Sequence, residues 1–309
     1  MKFKTAVLLY VTVFGTLPLV AQQRGQYMPG QSGLNAGILP SPGFTYGNIE
    51  VNYSSSTLNG PKGNRIPIDG TYNVWAIENI FYYVPSVKVL GGNLGFMVIL
   101  PTLANGSLAV PEYGVNGGGF GLADTWLQPI SLGWHLKRAD FQVADAFMLP
   151  TGRYTVGASD NIGYGYFGNH VTTGSTVYIT KNKATSANIM TDWEAHGNKS
   201  GTNGAAGQAF TDEWGFGQLL PLKKDFSQLL QVGAVGYDQW QITNSTGSLA
   251  NTPYYSSHAA GLQTTYILPK KQVNLFFKYY WQYSAYSTSL GNSIVFGGSW
   301  TLLRPKPNP

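Results

Sequence analysis

Between Val273 and Tyr283 the chain changes character at almost every residue. Val273, Leu275, Phe277, Tyr279, Trp281 and Tyr283 share one parity; Asn274, Lys278, Tyr280 and Gln282 hold the other, with Phe276 among them. A period of two sends successive side chains to opposite faces of a strand. The pattern returns near the C-terminus, where Ile294, Phe296, Trp300 and Leu302 oppose Ser293, Gly297, Ser299 and Thr301. It also appears early, with Ile49, Val51 and Tyr53 against Asn48, Glu50 and Asn52, and with Leu90, Leu94, Phe96, Val98 and Leu100 against Gly91, Asn93 and Gly95. Such a chain folds as many short strands with one apolar face.

Charge decides what that face meets. Soluble β-sandwiches also alternate, but their outward face is charged, and globular domains carry roughly a quarter charged residues. Here only 11% of the 309 residues are charged, while 43% are hydrophobic and 14% aromatic. Beyond the N-terminus no stretch approaches the ~20 apolar residues of a membrane-spanning helix. The aromatic load also excludes a disordered chain. The expectation is an all-β, antiparallel up-and-down barrel with one face in lipid.

The breaks between strands sharpen it. Short ones fall near Pro85–Lys88, Leu136–Asp140, Lys181–Thr185, Pro221–Asp225 and Pro269–Gln272. Longer ones fall at Ser55–Gly70, Pro101–Gly119, Pro150–Gly163, Gly197–Gln208, Gln241–Thr252 and Ser284–Gly291. Their alternation predicts about twelve strands, with short periplasmic turns, long extracellular loops and both termini on the periplasmic side. The short breaks hold Lys88, Lys137, Arg138, Lys181, Lys183, Lys223, Lys224, Lys270 and Lys271. The positive charge therefore marks one rim of the barrel. No basic stripe interleaves with aromatics as nucleic-acid binding requires.

Met1, Lys2 and Lys4 followed by the apolar run Ala6–Val20 read as a secretory signal over residues 1–21, cut after Ala21. Removing Lys2 and Lys4 from the formal +5 leaves +3. Residues 22–43 are rich in Gly, Gln and Pro, with Pro40 and Pro42 denying ladder bonds; they form an extended lead-in or a hatch folded into the lumen. Residues 44–302 make the barrel and 303–309 a disordered tail.

Catalytic and metal-binding patterns are scarce. The chain has no cysteine, which excludes disulfides and thiolate metal sites. His135, His170, His196 and His258 match neither H-x-x-x-H nor H-E-x-x-H, and no G-x-S-x-G is present. An outer-membrane lipid hydrolase would need a Ser–His contact of about 3 Å at the rim. The neighbours Ser257 and His258 face opposite sides of a strand and cannot make it. Neither enzyme activity nor a cofactor is expected. Candidate lumenal residues are Asn48, Glu50 and Asn52 on the first strand, Asp192 and Glu194 flanking Trp193, and Lys278, Tyr280 and Gln282. Asp212 and Glu213 sit beside Trp214 on another strand. Such charges belong in the lumen or at the rims, because an ionised group facing lipid costs roughly 2–4 kcal/mol near the midplane.

Four segments carry a family resemblance. Ala36-Gly37-Ile38-Leu39-Pro40-Ser41-Pro42-Gly43-Phe44, Asp124 through Ile130 with Leu132 and Trp134, Pro150-Thr151-Gly152-Arg153-Tyr154, and Val235-Gly236-Tyr237 occur in order. Together they resemble the phenol meta-pathway degradation family of bacterial outer-membrane transporter-like proteins. The resemblance implies an exported outer-membrane barrel passing aromatic or other hydrophobic compounds, in contact with outer-membrane lipid and folded by the outer-membrane assembly machinery. It transfers no ligand residues; Asp124, Arg153 and Tyr154 become candidates for gating or loop ordering. The alternatives are a structural or general-diffusion barrel and, third, the lipid hydrolase.

Overall fold

The computed structural model describes residues 25–113 and 115–303. The signal expected over residues 1–21 and the tail after Leu303 lie outside the described residues. No helix among the described residues is long and apolar enough to cross a membrane.

Fourteen antiparallel strands follow in order: β1 (Gly43–Leu58), β2 (Thr71–Val84), β3 (Lys88–Val89), β4 (Gly92–Val110), β5 (Val115–Leu122), β6 (Thr125–His135) and β7 (Ala139–Leu149). Then come β8 (Gly168–Tyr178), β9 (Thr185–His196), β10 (Ala209–Pro221), β11 (Leu229–Gln241), β12 (Ser256–Leu268), β13 (Val273–Tyr286) and β14 (Ser289–Leu303). Apart from β2–β3 and β5–β6, neighbours in sequence pair in space; β1 closes onto β14, β2 pairs β4 and β4 pairs β6. A closed barrel leaves its wall without a bare edge; twelve of the strands have a ladder partner on both sides, and the short β3 and β5 pair on one side only.

The count exceeds the expected twelve because of β3 and β5, which both attach to β4. The turn-rich stretch Pro101–Gly119, expected as a loop, is largely strand. The first part of β4 pairs β6 as far as Ile99↔Trp126, and the second part pairs β5 from Thr102↔Leu122. Pro101, which has no N–H to give, sits where the partner changes. A second correction concerns Ser284–Gly291. Strands β13 and β14 run through it and leave only Ser287 and Thr288 as a turn, with Ser287 in the left-handed region at φ 51°.

Faces alternate as period two demands, and outward positions are apolar. On β13, Leu275, Phe277, Tyr279, Trp281 and Tyr283 are exposed while Lys278 and Tyr280 are buried. β1 reverses the sequence expectation. Val51 pairs Val295, and both are shut inside, so Asn48, Glu50 and Asn52 occupy the outward face. The reason is what fills the barrel: Val51 and Val295 pack with Val235, Tyr237, Ala259 and Tyr280 around Leu34 of the N-terminal segment.

That segment, residues 25–42, lies against inward residues of β2, β4 and β6 to β13. Leu39 packs with Tyr82 and Val84, and Tyr27 packs against Ile99, Trp126 and Met148. Among the described residues, each of the three apolar clusters of the interior thus includes at least one residue of the segment. The wall makes room by omitting side chains: a Cβ on Gly174 would stand 2.0 Å from the Ala36 carbonyl oxygen, and one on Gly133 2.6 Å from Leu39 Cβ.

Candidate functional site

The N-terminal segment is held mainly by one carboxylate. Residues 30–33 curl with Gly30 at φ 98° and Gly33 at φ 61°, conformations open to glycine without strain. The curl turns four successive N–H groups toward Glu213 of β10. Gly30 and Gln31 donate to Oε1 at 2.8 and 3.1 Å, and Ser32 and Gly33 donate to Oε2 at 2.9 and 3.0 Å. The Tyr27 hydroxyl adds a fifth bond at 2.6 Å. Backbone N–H groups concentrated in such a concavity make an anion site, here filled by the wall. Lys278 of β13 answers from the other side, its Nζ donating to the carbonyls of Gly30 at 2.9 Å and Gln31 at 2.5 Å.

Further polar bonds run along the segment. Gln26 N–H donates to Glu194 Oε2 at 2.6 Å, and Gln31 Nε2 donates to Glu78 Oε1 at 2.9 Å. Asn35 and Gln231 exchange side-chain amide bonds at 2.6 and 3.0 Å. Nearer β1, Gly37 N–H donates to Thr176 Oγ1 at 3.0 Å and Gln142 donates to the Ala36 carbonyl at 2.6 Å. Each such bond contributes about 1 kcal/mol net, more where charge assists.

Beside the segment is a cavity of about 420 Å³, within the size range of small-molecule sites. Its lining extends from Ile38 and Pro40, next to the start of β1, to Ser107 and Leu108 near the tip of β4. Ile80, Met97, Ile99, Trp126 and Met148 give it apolar and aromatic walls; Glu78, Asp124 and Gln128 supply polar points.

The sequence candidates divide. Asp192, Glu194, Lys278 and Tyr280 are fully or almost fully buried on the inward face. Gln282 faces inward too, donating to Ser257 Oγ at 2.7 Å and the Tyr237 hydroxyl at 3.0 Å. Asp124 lines the cavity and accepts the N–H groups of Gly152 at 2.8 Å and Tyr164 at 2.6 Å, tying down the 150–167 connection. Arg153 lies in that connection with its charge paired to Asp160 at 2.6 Å, half exposed and away from the lining. Outward-facing Glu50 accepts the indole N–H of Trp75 at 3.0 Å, while Asn48 and Asn52 share its face. Those three are therefore not pore-lining; their parity was sound and their direction was not.

Several residues escaped the sequence reading. Adjacent Asp212 and Glu213 gave no way to choose the inward one, and Glu78, the one charged residue of β2, was not singled out. A legible signal was the shared parity of Asp192, Glu194 and His196, all on the inward side of β9. On the outer face, Ser256 rather than Ser257 meets His258. Ser256 Oγ lies 3.2 Å from His258 Nε2, and His258 Nδ1 lies 2.6 Å from Asp238 Oδ1.

Two ionisable groups in the connections are displaced by burial. Lys199, in the 197–208 connection, has its amine pulled down to about 8, and its Nζ stands 4.8 Å over the Tyr154 ring. The Tyr166 phenol is pushed well above its ordinary value, chiefly by burial.

A family model described as "Putative MetA-pathway of phenol degradation" matches residues 55–296. The fold is similar to an outer membrane channel from Pseudomonas putida F1, with TM-score 0.72, 10% identity, and 90% of this chain and 100% of that one covered. It is also similar to the β domain of the Bordetella autotransporter BrkA, with TM-score 0.53, 11% identity, and 85% and 100% covered. No curated protein matches the sequence.

Proposed function

The chain belongs to the family of the phenol-degradation MetA pathway, and from that premise we propose that it is an outer-membrane channel for passive uptake of small hydrophobic or aromatic compounds. The observation that carries this reading is the 420 Å³ cavity walled by Ile99, Trp126 and Met148 beside a segment held largely by hydrogen bonds. An aromatic solute entering it exchanges water for apolar surface, which is worth about 25 cal/mol per Å². The path is constricted because residues 25–42 share the lumen, so the segment acts as a hatch. Its polar anchors can be replaced by water one at a time, whereas a wholly apolar plug would have to leave at once. Export by the N-terminal leader, residence among outer-membrane lipids and insertion by the outer-membrane assembly machinery belong to the same proposal.

Planar-bilayer recording of the refolded protein, with and without residues 22–42, tests it. We expect a nearly silent full-length barrel, a conducting deletion, and faster phenol flux than sugar flux into liposomes. Steady conductance in the full-length protein would instead make it a general-diffusion pore; silence in both would make it a filled structural barrel.

One observation favours a second activity, ester hydrolysis at the outer rim. Ser256, His258 and Asp238 align as nucleophile, base and orienter. Trp240 and Tyr283 flank the imidazole with ring centroids at 5.4 and 6.2 Å, the residue types that gather at membrane interfaces. Ser256 Oγ would attack the ester carbonyl carbon as its proton passes to His258 Nε2. That proton then goes to the departing alkoxide, and water releases the acid from the acyl-serine. A fluorophosphonate probe should label the protein but not Ser256→Ala, with Ser257→Ala unaffected. Absence of labelling and of ester turnover removes this reading.

A further inference from the structure

We propose that His170, His196, Glu194 and Gln26 form a binding site for one divalent transition cation of the zinc type, joining the N-terminal segment to the barrel wall. His170 on β8 stands directly opposite Glu194 on β9, and His196 follows two residues on with the same parity. His170 and Glu194 are fully buried, and His196 is partly so.

Proton bookkeeping points to a cation. His170 Nδ1 lies 3.0 Å from Asp192 Oδ1, an acceptor, so Nδ1 carries the hydrogen and, in the neutral ring, Nε2 presents a lone pair. That Nε2 is buried with no partner. His196 Nδ1 lies 3.0 Å from the Gly207 carbonyl, which also only accepts, so in the neutral ring its Nε2 is likewise a lone pair. Yet this nitrogen faces Glu194 Oε2, another acceptor, at 3.2 Å. Glu194 Oε1 is buried without a partner, as is Gln26 Oε1. The Gln26 amide is held in this sense by its Nε2, which donates to the Tyr166 carbonyl at 2.9 Å. Gly168 leaves the space between them open: a Cβ there would stand 1.7 Å from Gln26 Oε1 and 3.2 Å from His170 Nε2.

Two imidazole nitrogens thus face Glu194 Oε2, which the Gln26 and Tyr27 N–H groups also meet, with the Gln26 amide oxygen across the open space at Gly168 and no side-chain donor among these atoms. Such a set costs free energy unless a cation or extra protons occupy it. Ligands about 2.0 Å from a tetrahedral metal stand roughly 3.3 Å apart. The His196–Glu194 separation of 3.2 Å meets that, and the 3.9 Å from His170 Nε2 to Glu194 Oε2 needs a small closure. The imidazoles favour zinc, nickel or copper over calcium and magnesium. Asp192 is a positioning residue, since a carboxylate on Nδ1 orients a ligating histidine. Trp126 packs on the His170 ring at 4.5 Å between centroids and restrains it further.

Gln26 belongs to the segment and the other ligands to the wall, so an occupied site clasps the two. The binding stands on this geometry alone; an effect on conductance rests also on the channel reading.

The test uses the full-length refolded protein, stripped with a chelator and titrated with Co²⁺ and then Zn²⁺. We expect one equivalent of Co²⁺ to give the visible absorption of a tetrahedral site and Zn²⁺ to displace it. Asp192→Asn should weaken binding by about 10–100-fold, and His170→Ala and Gln26→Ala should each weaken it clearly. Gln26→Ala changes only the segment, so it stays informative if a wall variant misfolds; His135→Ala controls for surface binding. No binding at millimolar metal, or binding that His170→Ala and Gln26→Ala leave unchanged, overturns the proposal and leaves a pair of imidazolium ions holding the cluster. Metal binding with unchanged conductance would support the site, since the full-length barrel is already expected to be nearly silent.

Discussion

At the residue scale, Glu213 is the most consequential side chain in the barrel. Five donors from the N-terminal segment meet its two oxygens. Glu213→Gln retains the shape but offers one accepting oxygen and no charge, so residues 30–33 should lose hydrogen-exchange protection by at least tenfold while the barrel amides keep theirs. Leu34→Ala removes the centre of the cluster containing Val51, Val235 and Val295. It should destabilise by about 2–5 kcal/mol, measured by urea unfolding in detergent. Equal protection of residues 30–33 in Glu213→Gln and the parent would show that apolar packing alone seats the segment. Individual residues were legible in the sequence as types more than as roles. Lys278 was readable as an inward cation, but its two carbonyl partners are some 247 positions away along the chain, a separation that no local pattern encodes.

At the element scale, wall glycines and the segment form a matched pair. Gly133→Val would place its branched side chain against Leu39, where even a Cβ comes within 2.6 Å. Because the closed ladder of β6 is untouched, the variant should fold, expel the segment and raise bilayer conductance toward that of the 22–42 deletion. A folded but silent Gly133→Val barrel would show that the segment shifts without leaving. The connections give a pH prediction. Folded Lys199 loses its proton near pH 8, whereas an unfolded lysine keeps its own to roughly 10.4. Between these values the unfolded state binds more protons, so the packed 197–208 connection gains stability as pH rises through that window. Protease nicking of this connection should be slower at pH 9.5 than at pH 7, and Lys199→Met should abolish the difference. Element boundaries were legible wherever polar turn residues interrupt an alternation, as at Leu136–Asp140. They were obscured between Pro101 and Gly119, where glycine and proline occur within paired strands.

At the scale of the whole molecule, the outward belt holds Trp75, Trp281 and Trp300 exposed, while Trp126 is shut inside. Brominated lipids should quench most of the tryptophan fluorescence, and Trp126→Phe should leave the quenched amplitude unchanged. Substantial loss of quenching in that variant would place Trp126 at the lipid surface. The chain's alternation and shortage of charge were enough to determine a lipid-facing antiparallel barrel, because only a closed sheet satisfies the backbone in a membrane while exposing an apolar face on every second residue. They were also enough to mark Lys278, Tyr280, Asp192 and Glu194 as inward. Which way β1 faces was decided only in the folded molecule. Alternation defines two faces but not their direction; that follows from what occupies the lumen. Here Leu34 supplies an apolar centre, so Val51 turns inward and Glu50 outward. The clasp between Glu213 and residues 30–33, and the convergence of Ser256 with Asp238, likewise arise from strand register and a return of the chain into its own barrel.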